Sequence, residues 1–191
     1  MNKQTVLLPL LVLWGLISCM PFGGKKGDAE LTAAEEYDGE ELMKKALSLD
    51  AEGQYEEAAE WYRKAAEQGV SAAQNNLGVM YKDGQGVKKD YGEAVHWFMV
   101  AARQGNVLAQ SNLGWMYQAG RGVTQSYDSA HYWYLQAALK GHAAAQNNLG
   151  TMYRDGLGLK ADTDSACFWF EKAALQRLPQ ALRNLERIKS R

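Results

Sequence analysis

Leu77, Leu113 and Leu149 stand 36 residues apart, and the same interval separates Gly78, Gly114 and Gly150, then Met80, Met116 and Met152, then Tyr81, Tyr117 and Tyr153. Gly84, Gly120 and Gly156 follow the period, as do Ala94, Ala130 and Ala166, and Trp97, Trp133 and Trp169. A chain that returns to so many positions at one interval builds the same supersecondary unit several times. Each unit hides its apolar face only by stacking on the next. The period restricts the fold to a solenoid.

Each unit divides into two helical stretches. Ala73, Leu77, Met80 and Tyr81 fall at i, i+4, i+7 and i+8, one face of a helix, and positions 109, 113, 116 and 117 repeat the pattern. Glycine inside a helix costs roughly 1 kcal/mol relative to alanine, so the recurrence of Gly78 predicts a place where neighbouring backbone comes too close for a side chain. Gly84 suits the left-handed residue that ends a helix. Second helices are predicted to start at Asp90, Ser126 and Asp162, all good N-caps. Their buried face reads Ala94, Trp97, Ala101 and Ala102, then Ala130, Trp133, Ala137 and Ala138. Gly105 and Gly141 stop them.

Read together as A-x-x-N-L-G-x-M-Y-x-x-G-x-G-V followed by A-x-x-W-x-x-x-A-A-x-x-G, these residues resemble the Sel-one-like repeat, a relative of the tetratricopeptide repeat. The resemblance implies an all-α, right-handed solenoid of stacked antiparallel helix pairs. Full copies occupy 71–106, 107–142 and 143–178, the last with Arg177 in place of the terminal glycine and Leu159 in place of the loop valine. Residues 39–70 read as a degenerate first repeat, whose second helix keeps Ala58, Trp61, Ala65 and Ala66 but whose loop is shorter. Pro179 opens a capping helix in 179–191 that holds Ala181, Asn184 and Leu185 in register.

Ahead of the repeats, Lys3 precedes an apolar run from Val6 to Ile17, too short to span a bilayer comfortably, which is the profile of a signal peptide over 1–18. The run ends in Leu16-Ile17-Ser18-Cys19 and resembles the lipobox of bacterial lipoproteins. That resemblance implies thioether lipidation of Cys19, cleavage before it, and a bacterial envelope address, with Met20 in the following position favouring the outer membrane. The periplasmic face is the expected side. Several acyl chains, at about 0.8 kcal/mol per buried CH₂, hold a protein firmly. Residues 19–38, with Pro21, Gly23, Gly24 and Gly27, read as a flexible tether.

The formal net charge of −1 supplies no field to concentrate nucleic acid. Charge is segregated instead. Residues 28–41 carry seven acidic side chains and no basic one, whereas the C-terminal tail carries Arg183, Arg187, Lys189 and Arg191 against Glu186. Polar ends of a solenoid or two charged docking sites both fit that pattern. Once Cys19 is acylated only Cys167 remains as a thiol, so the fold relies on packing rather than a disulfide, and Cys167 is expected to be buried or half-buried. The glycine pairs at 84/86, 120/122 and 156/158 lack the third glycine and the preceding strand of a phosphate cradle and read as turns. No serine elbow, Cys-x-x-Cys or His-Glu-x-x-His occurs, and His96, His131 and His142 are scattered in repeat phase, so no metal, cofactor or catalytic residue is assigned.

Packing constrains the ladder, which leaves the positions that vary between units to specify a partner. First helices line the concave groove in tetratricopeptide-like folds, and by that resemblance the exposed groove positions are Asn75, Val79 and Lys82, then Ser111, Trp115 and Gln118, then Asn147, Thr151 and Arg154. Trp115, whose counterparts are Val79 and Thr151, is either an aromatic anchor for a peptide or a filler of a local gap. Asn76, Asn112, Asn148 and Asn184 form a ladder that fits either a structural hydrogen bond or capture of a ligand backbone. The expected function is a membrane-anchored envelope adaptor that binds a protein or peptide. The alternatives are an envelope enzyme, since some cysteine-rich relatives of this repeat are linked to β-lactam binding or hydrolysis, and a host-interaction factor.

Overall fold

The computed structural model describes residues 37–190, and all of its regular structure there is helical. The lipobox, Cys19 and the tether up to residue 36 lie outside the described residues. Four helix pairs follow one another: α1 (Gly39–Ala51) with α2 (Tyr55–Glu67), α3 (Ser71–Asp83) with α4 (Tyr91–Arg103), α5 (Val107–Ala119) with α6 (Tyr127–Leu139), and α7 (Ala143–Asp155) with α8 (Thr163–Leu175). A last helix, α9 (Pro179–Lys189), closes the chain. Each paired helix is 13 residues long. Every helix packs on its successor, and α5 also touches α7. This is a solenoid.

The caps follow the sequence. Asp90 accepts from the amides of Gly92 and Glu93, Ser126 from Ser129 and Asp162 from Asp164. Asp38, the last residue of the predicted tether, caps α1 by accepting from Glu40 and Glu41. Gly84, Gly120 and Gly156 take left-handed conformations after the first helices. The second glycine of each pair is fixed by contact as well as by its positive φ. A Cβ on Gly86 or Gly122 would fall within 2.2 Å of the carbonyl oxygen of Tyr55 or Tyr91, at the start of the preceding unit's second helix. The turn residues therefore join one unit to the one before it.

Two expectations about the core are corrected. Among the described residues the fully buried aromatic side chains are Tyr62, Phe98, Tyr134 and Phe170, each one position beyond the tryptophan of its unit. Trp61, Trp97 and Trp133 are half-buried, and only Trp169 is buried. Gly78, Gly114 and Gly150 are glycine chiefly because these rings lie against them: a Cβ would stand 2.7, 2.5 and 2.6 Å from the rings of Phe98, Tyr134 and Phe170, and at Gly78 also 3.3 Å from the Ala94 carbonyl oxygen, a close backbone approach. Around the rings the alanines at 94, 101, 102, 130, 137 and 138 are buried and let helices approach closely.

Side chains tie the units together. Gln74, Gln110 and Gln146 are buried, and their Nε2 atoms donate to the carbonyls of Ala66, Ala102 and Ala138 at 3.0, 3.2 and 3.1 Å, a second bond to carbonyls that already accept from the amides of Gly69, Gly105 and Gly141 at the end of the previous unit's second helix. Gln104 Nε2 in turn donates to Gln74 Oε1 at 2.7 Å, and Gln176 Nε2 to Gln146 Oε1 at 2.9 Å. Lys140 takes that place in the unit between them. Its Nζ reaches the Gly105 carbonyl, and Gln110 Oε1 stays buried with no hydrogen-bond partner among the described residues.

Candidate functional site

First helices approach one another across units, through α5 on α7 and through side-chain bonds from α5 to α3 and from α9 to α7, so they form the inner wall of the solenoid and the second helices the outer layer. The nine candidate groove residues sort into three rows along that wall.

The first row is not available to a ligand. Asn75, Ser111 and Asn147 were expected to be exposed, but they are buried to 4, 9 and 7% accessibility. Asn112 Nδ2 donates to Asn75 Oδ1 at 3.0 Å, Asn75 Nδ2 donates to Asn76 Oδ1 at 3.2 Å, and Asn76 bonds the hydroxyl of Tyr62. Tyr62 then donates to Asp50 Oδ2 at 3.1 Å. One relay thus runs from α5 through α3 and α2 to α1. Burial pushes the Tyr62 phenol up to about 12, the Asn76 bond opposes this, and the Asp50 carboxylate adds to it. Farther along, Asn184 Nδ2 donates to Asn147 Oδ1 at 2.9 Å, and separately Asn148 bonds the Tyr134 hydroxyl, which donates to Gln118 Oε1 at 2.9 Å. Asn76, Asn112 and Asn148 are half-buried and Asn184 is buried, and each of the four spends its side chain on a hydrogen bond inside the protein, which is a structural use of the ladder.

The third row is half-engaged. Lys82 stands 3.4 Å from Asp83, and Arg154 makes two bonds of 2.7 Å to Asp155 while also donating to Asn184 Oδ1. Asp155 raises the already high pKa of the Arg154 guanidinium. Arg154 and Asp155 border a small cleft of about 110 Å³ completed by Arg187 and Ile188 of α9. Gln118 spends its carbonyl on Tyr134.

The middle row carries the free apolar surface. Val79 and Thr151 are half-buried, whereas Trp115 is 41% exposed. Leu108, two turns earlier on the same face of α5, is 54% exposed. The neighbouring units have only Ala72 and Ala144 at the position of Leu108. The sequence reading missed Leu108, although comparison of the units one position at a time would have found it beside Trp115.

A larger cleft of about 580 Å³ lies at the loop edge, between Asp128, His131, Tyr153 and residues 158–162. His131 Nε2 and the Tyr153 hydroxyl are 3.2 Å apart, with their rings edge to face. Burial lowers the His131 pKa, and Asp128 partly offsets this. Cys167 is half-buried. Among the described residues no group of three or more His, Cys, Asp or Glu side chains is placed to hold a metal ion.

The sequence matches the profile of the Sel1 repeat over residues 41–70, 71–106, 107–142 and 143–177. Solved structures share the fold, among them the following three. A protective antigen present in uropathogenic Escherichia coli strains, described as displaying an SLR fold, is 39% identical with a TM-score of 0.76 over 80% of this chain and 34% of its own. A Sel1 repeat protein from Oxalobacter formigenes is 34% identical with a TM-score of 0.72 over 78% of this chain and 62% of its own. A protein from Klebsiella pneumoniae subsp. pneumoniae, described as of the sel1 repeat type, is 22% identical with a TM-score of 0.53 over 83% of this chain and 81% of its own, which speaks to fold only. The chain thus spans about a third of the length of the first of these and under two thirds of the second. No curated protein matches the sequence.

Proposed function

Starting from a chain that belongs to the Sel1 repeat family, a family of protein-interaction scaffolds, we propose that it is an envelope adaptor that takes a protein or peptide segment into the inner face of its solenoid. One observation carries the reading: α5 alone among the first helices of the three full repeats pairs two large exposed apolar side chains, Leu108 and Trp115, where packing asks for nothing larger than alanine, valine or threonine. Aromatic anchors of this kind dominate binding energy at protein interfaces. Lys82, Gln118 and Arg154 border the anchor, and Val79 and Thr151 flank it along the wall. The bacterial membrane attachment and envelope address rest on the lipobox-like Leu16 to Cys19 segment.

Crosslinking with mass spectrometry in the native organism names the partner, and substitution tests the surface. Trp115→Ala is expected to lose the partner at unchanged thermal stability, against a loss of about 3 to 5 kcal/mol for Phe98→Ala in the core. A Trp115→Ala variant that keeps the partner, or is as unstable as Phe98→Ala, refutes the groove. For the anchor, Cys19→Ala is expected to move the protein to the soluble envelope fraction, and unchanged membrane partition refutes it.

A further inference from the structure

Four large apolar side chains stand out on the outer layer, away from the groove. Tyr132 and Leu139 on α6 are 53 and 68% exposed, and Phe168 and Leu175 on α8 are 50 and 85% exposed. They occupy two repeat positions only. The same positions hold Glu60 and Glu67 in α2 and His96 and Arg103 in α4, so stacking of the units does not call for apolar residues there. Tyr132 and Phe168 sit edge to face on Trp133 and Trp169 at 5.0 and 5.1 Å, which fixes their rings at the surface.

We propose that this outer face of α6 and α8 docks a second copy of the chain. The reading is independent of the groove. With about 150 to 250 Å² in a large side chain, the exposed fractions leave on the order of 500 Å² of apolar surface. Spread over two successive second helices, that is comparable to the ~300 to 600 Å² of the largest apolar patch on a monomer, which is often a functional one. A polar rim brings such a patch towards the ~800 Å² per partner of a standard interface.

The patch is also complementary to itself. Each helix carries a ring and, seven residues later, a leucine, so a twofold axis perpendicular to the helices sets rings of one copy against leucines of the other. When α8 meets its symmetry mate with Phe168 opposite Leu175, Glu171 lies opposite Lys172, and two pairs of opposite charge close the contact. A bilayer is the poorer occupant. Glu171 lies between Phe168 and Leu175 on α8, where insertion would bring it into the apolar layer, and the net charge of −1 offers no attraction to anionic lipid.

Sedimentation velocity on the full chain up to about 200 µM, a range that reaches weak dimers, tests this. The wild type is expected to dimerise with concentration. Leu139→Ser with Leu175→Ser is expected to raise the dissociation constant at least tenfold with the melting temperature unchanged, since both residues are exposed. Lys172→Glu weakens the dimer by placing like charges together, and adding Glu171→Lys restores it. A monomer throughout the range, or a dimer that these substitutions leave unmoved, overturns the proposal. So does a monomer that co-sediments with phosphatidylglycerol vesicles through Leu175.

Discussion

Replacing Lys140 with glutamine is expected to stabilise this protein, and the reason is local. In the second and fourth units a buried glutamine at the start of a first helix bonds backward to a carbonyl and receives a bond from a second glutamine. Gln176 uses its amide twice, on Gln146 Oε1 at 2.9 Å and on the Gly141 carbonyl at 2.8 Å. Lys140 makes the bond to Gly105 at 2.9 Å but leaves Gln110 Oε1 buried and unmet. A buried acceptor without a partner costs about 1 to 3 kcal/mol, and a new bond returns about 0.5 to 1.5 kcal/mol net. Because residue 140 is exposed, a gain near the middle of the second range, about 1 kcal/mol, is the reasonable expectation for Lys140→Gln. For a chain of this size that corresponds to about 2 to 4 °C in melting temperature. Urea unfolding followed by circular dichroism measures it. The gain must vanish in a Gln110→Met background, where no acceptor remains to be met, and Gln176→Lys must lose a similar amount by orphaning Gln146. A gain that survives Gln110→Met, or no gain in the wild type, shows that the unmet oxygen is not what limits stability there.

Arg177 holds a φ of 60° where Gly69, Gly105 and Gly141 hold 87 to 89°, and a left-handed non-glycine residue costs about 1 to 2 kcal/mol, so Arg177→Gly should raise the urea midpoint by about 1 kcal/mol net of the added freedom of the unfolded chain. Gly114→Ala drives a methyl to 2.5 Å from the Tyr134 ring and should lose about 1 to 3 kcal/mol in the same assay, with Tyr134→Ala in that background restoring part of it. Burial lowers the pKa of His131 and His142 in the folded state, so the unfolded chain binds more protons as pH falls below about 6.5 and stability should decline with it, an effect that His131→Gln should reduce. The Tyr62 phenol is raised to about 12, so the folded state keeps a proton the unfolded chain releases; its contribution should be full below pH 10 and lost as pH rises towards 12, and Tyr62→Phe should flatten the alkaline limb of a melting-temperature profile.

The solenoid was legible because close packing writes itself as identity: Leu77, Gly78 and Met80 can be little else when each faces the same neighbours in every unit. The turn role of the glycine pairs followed from the same logic. The aromatic ring that fills each unit was overlooked because its identity changes. Tyr62 and Tyr134 stand where Asp50 and Gln118 accept their hydroxyls, whereas Phe98 and Phe170 stand in the units that put Lys82 and Arg154 at the same helix position, with Arg154 lying 6.0 Å from the Phe170 centroid. A phenol finds an acceptor and a plain ring accompanies a cation, so the pair varies together while the packing stays constant. The tryptophans misled for the opposite reason. They are constant in identity, yet Trp61, Trp97 and Trp133 are half-buried, one position from the residue that fills the centre.

The same alternation explains why the groove was only partly legible. Asn75 and Asn147 face inwards with Ser111 between them, Lys82 and Arg154 flank Gln118, Asp83 and Asp155 flank Ala119, and Gln104 and Gln176 flank Lys140. At these positions the second and fourth units agree in chemistry and the third differs, an alternation laid over the 36-residue period. A position that changes at every step of 36 looks free to bind a partner when units are compared one by one, and Asn75, Ser111 and Asn147 were assigned to the groove on that ground. Compared in twos, most of that variation is accounted for by hydrogen bonds inside the protein. The neighbours of Leu108 and Trp115 in alternate units agree too, as Ala72 with Ala144 and nearly so as Val79 with Thr151, yet the two side chains that break from them on α5 meet no partner their size and remain exposed. Variation that follows the alternation and ends in a buried contact belongs to the fold. Variation that follows it and ends in solvent is what remains for recognition.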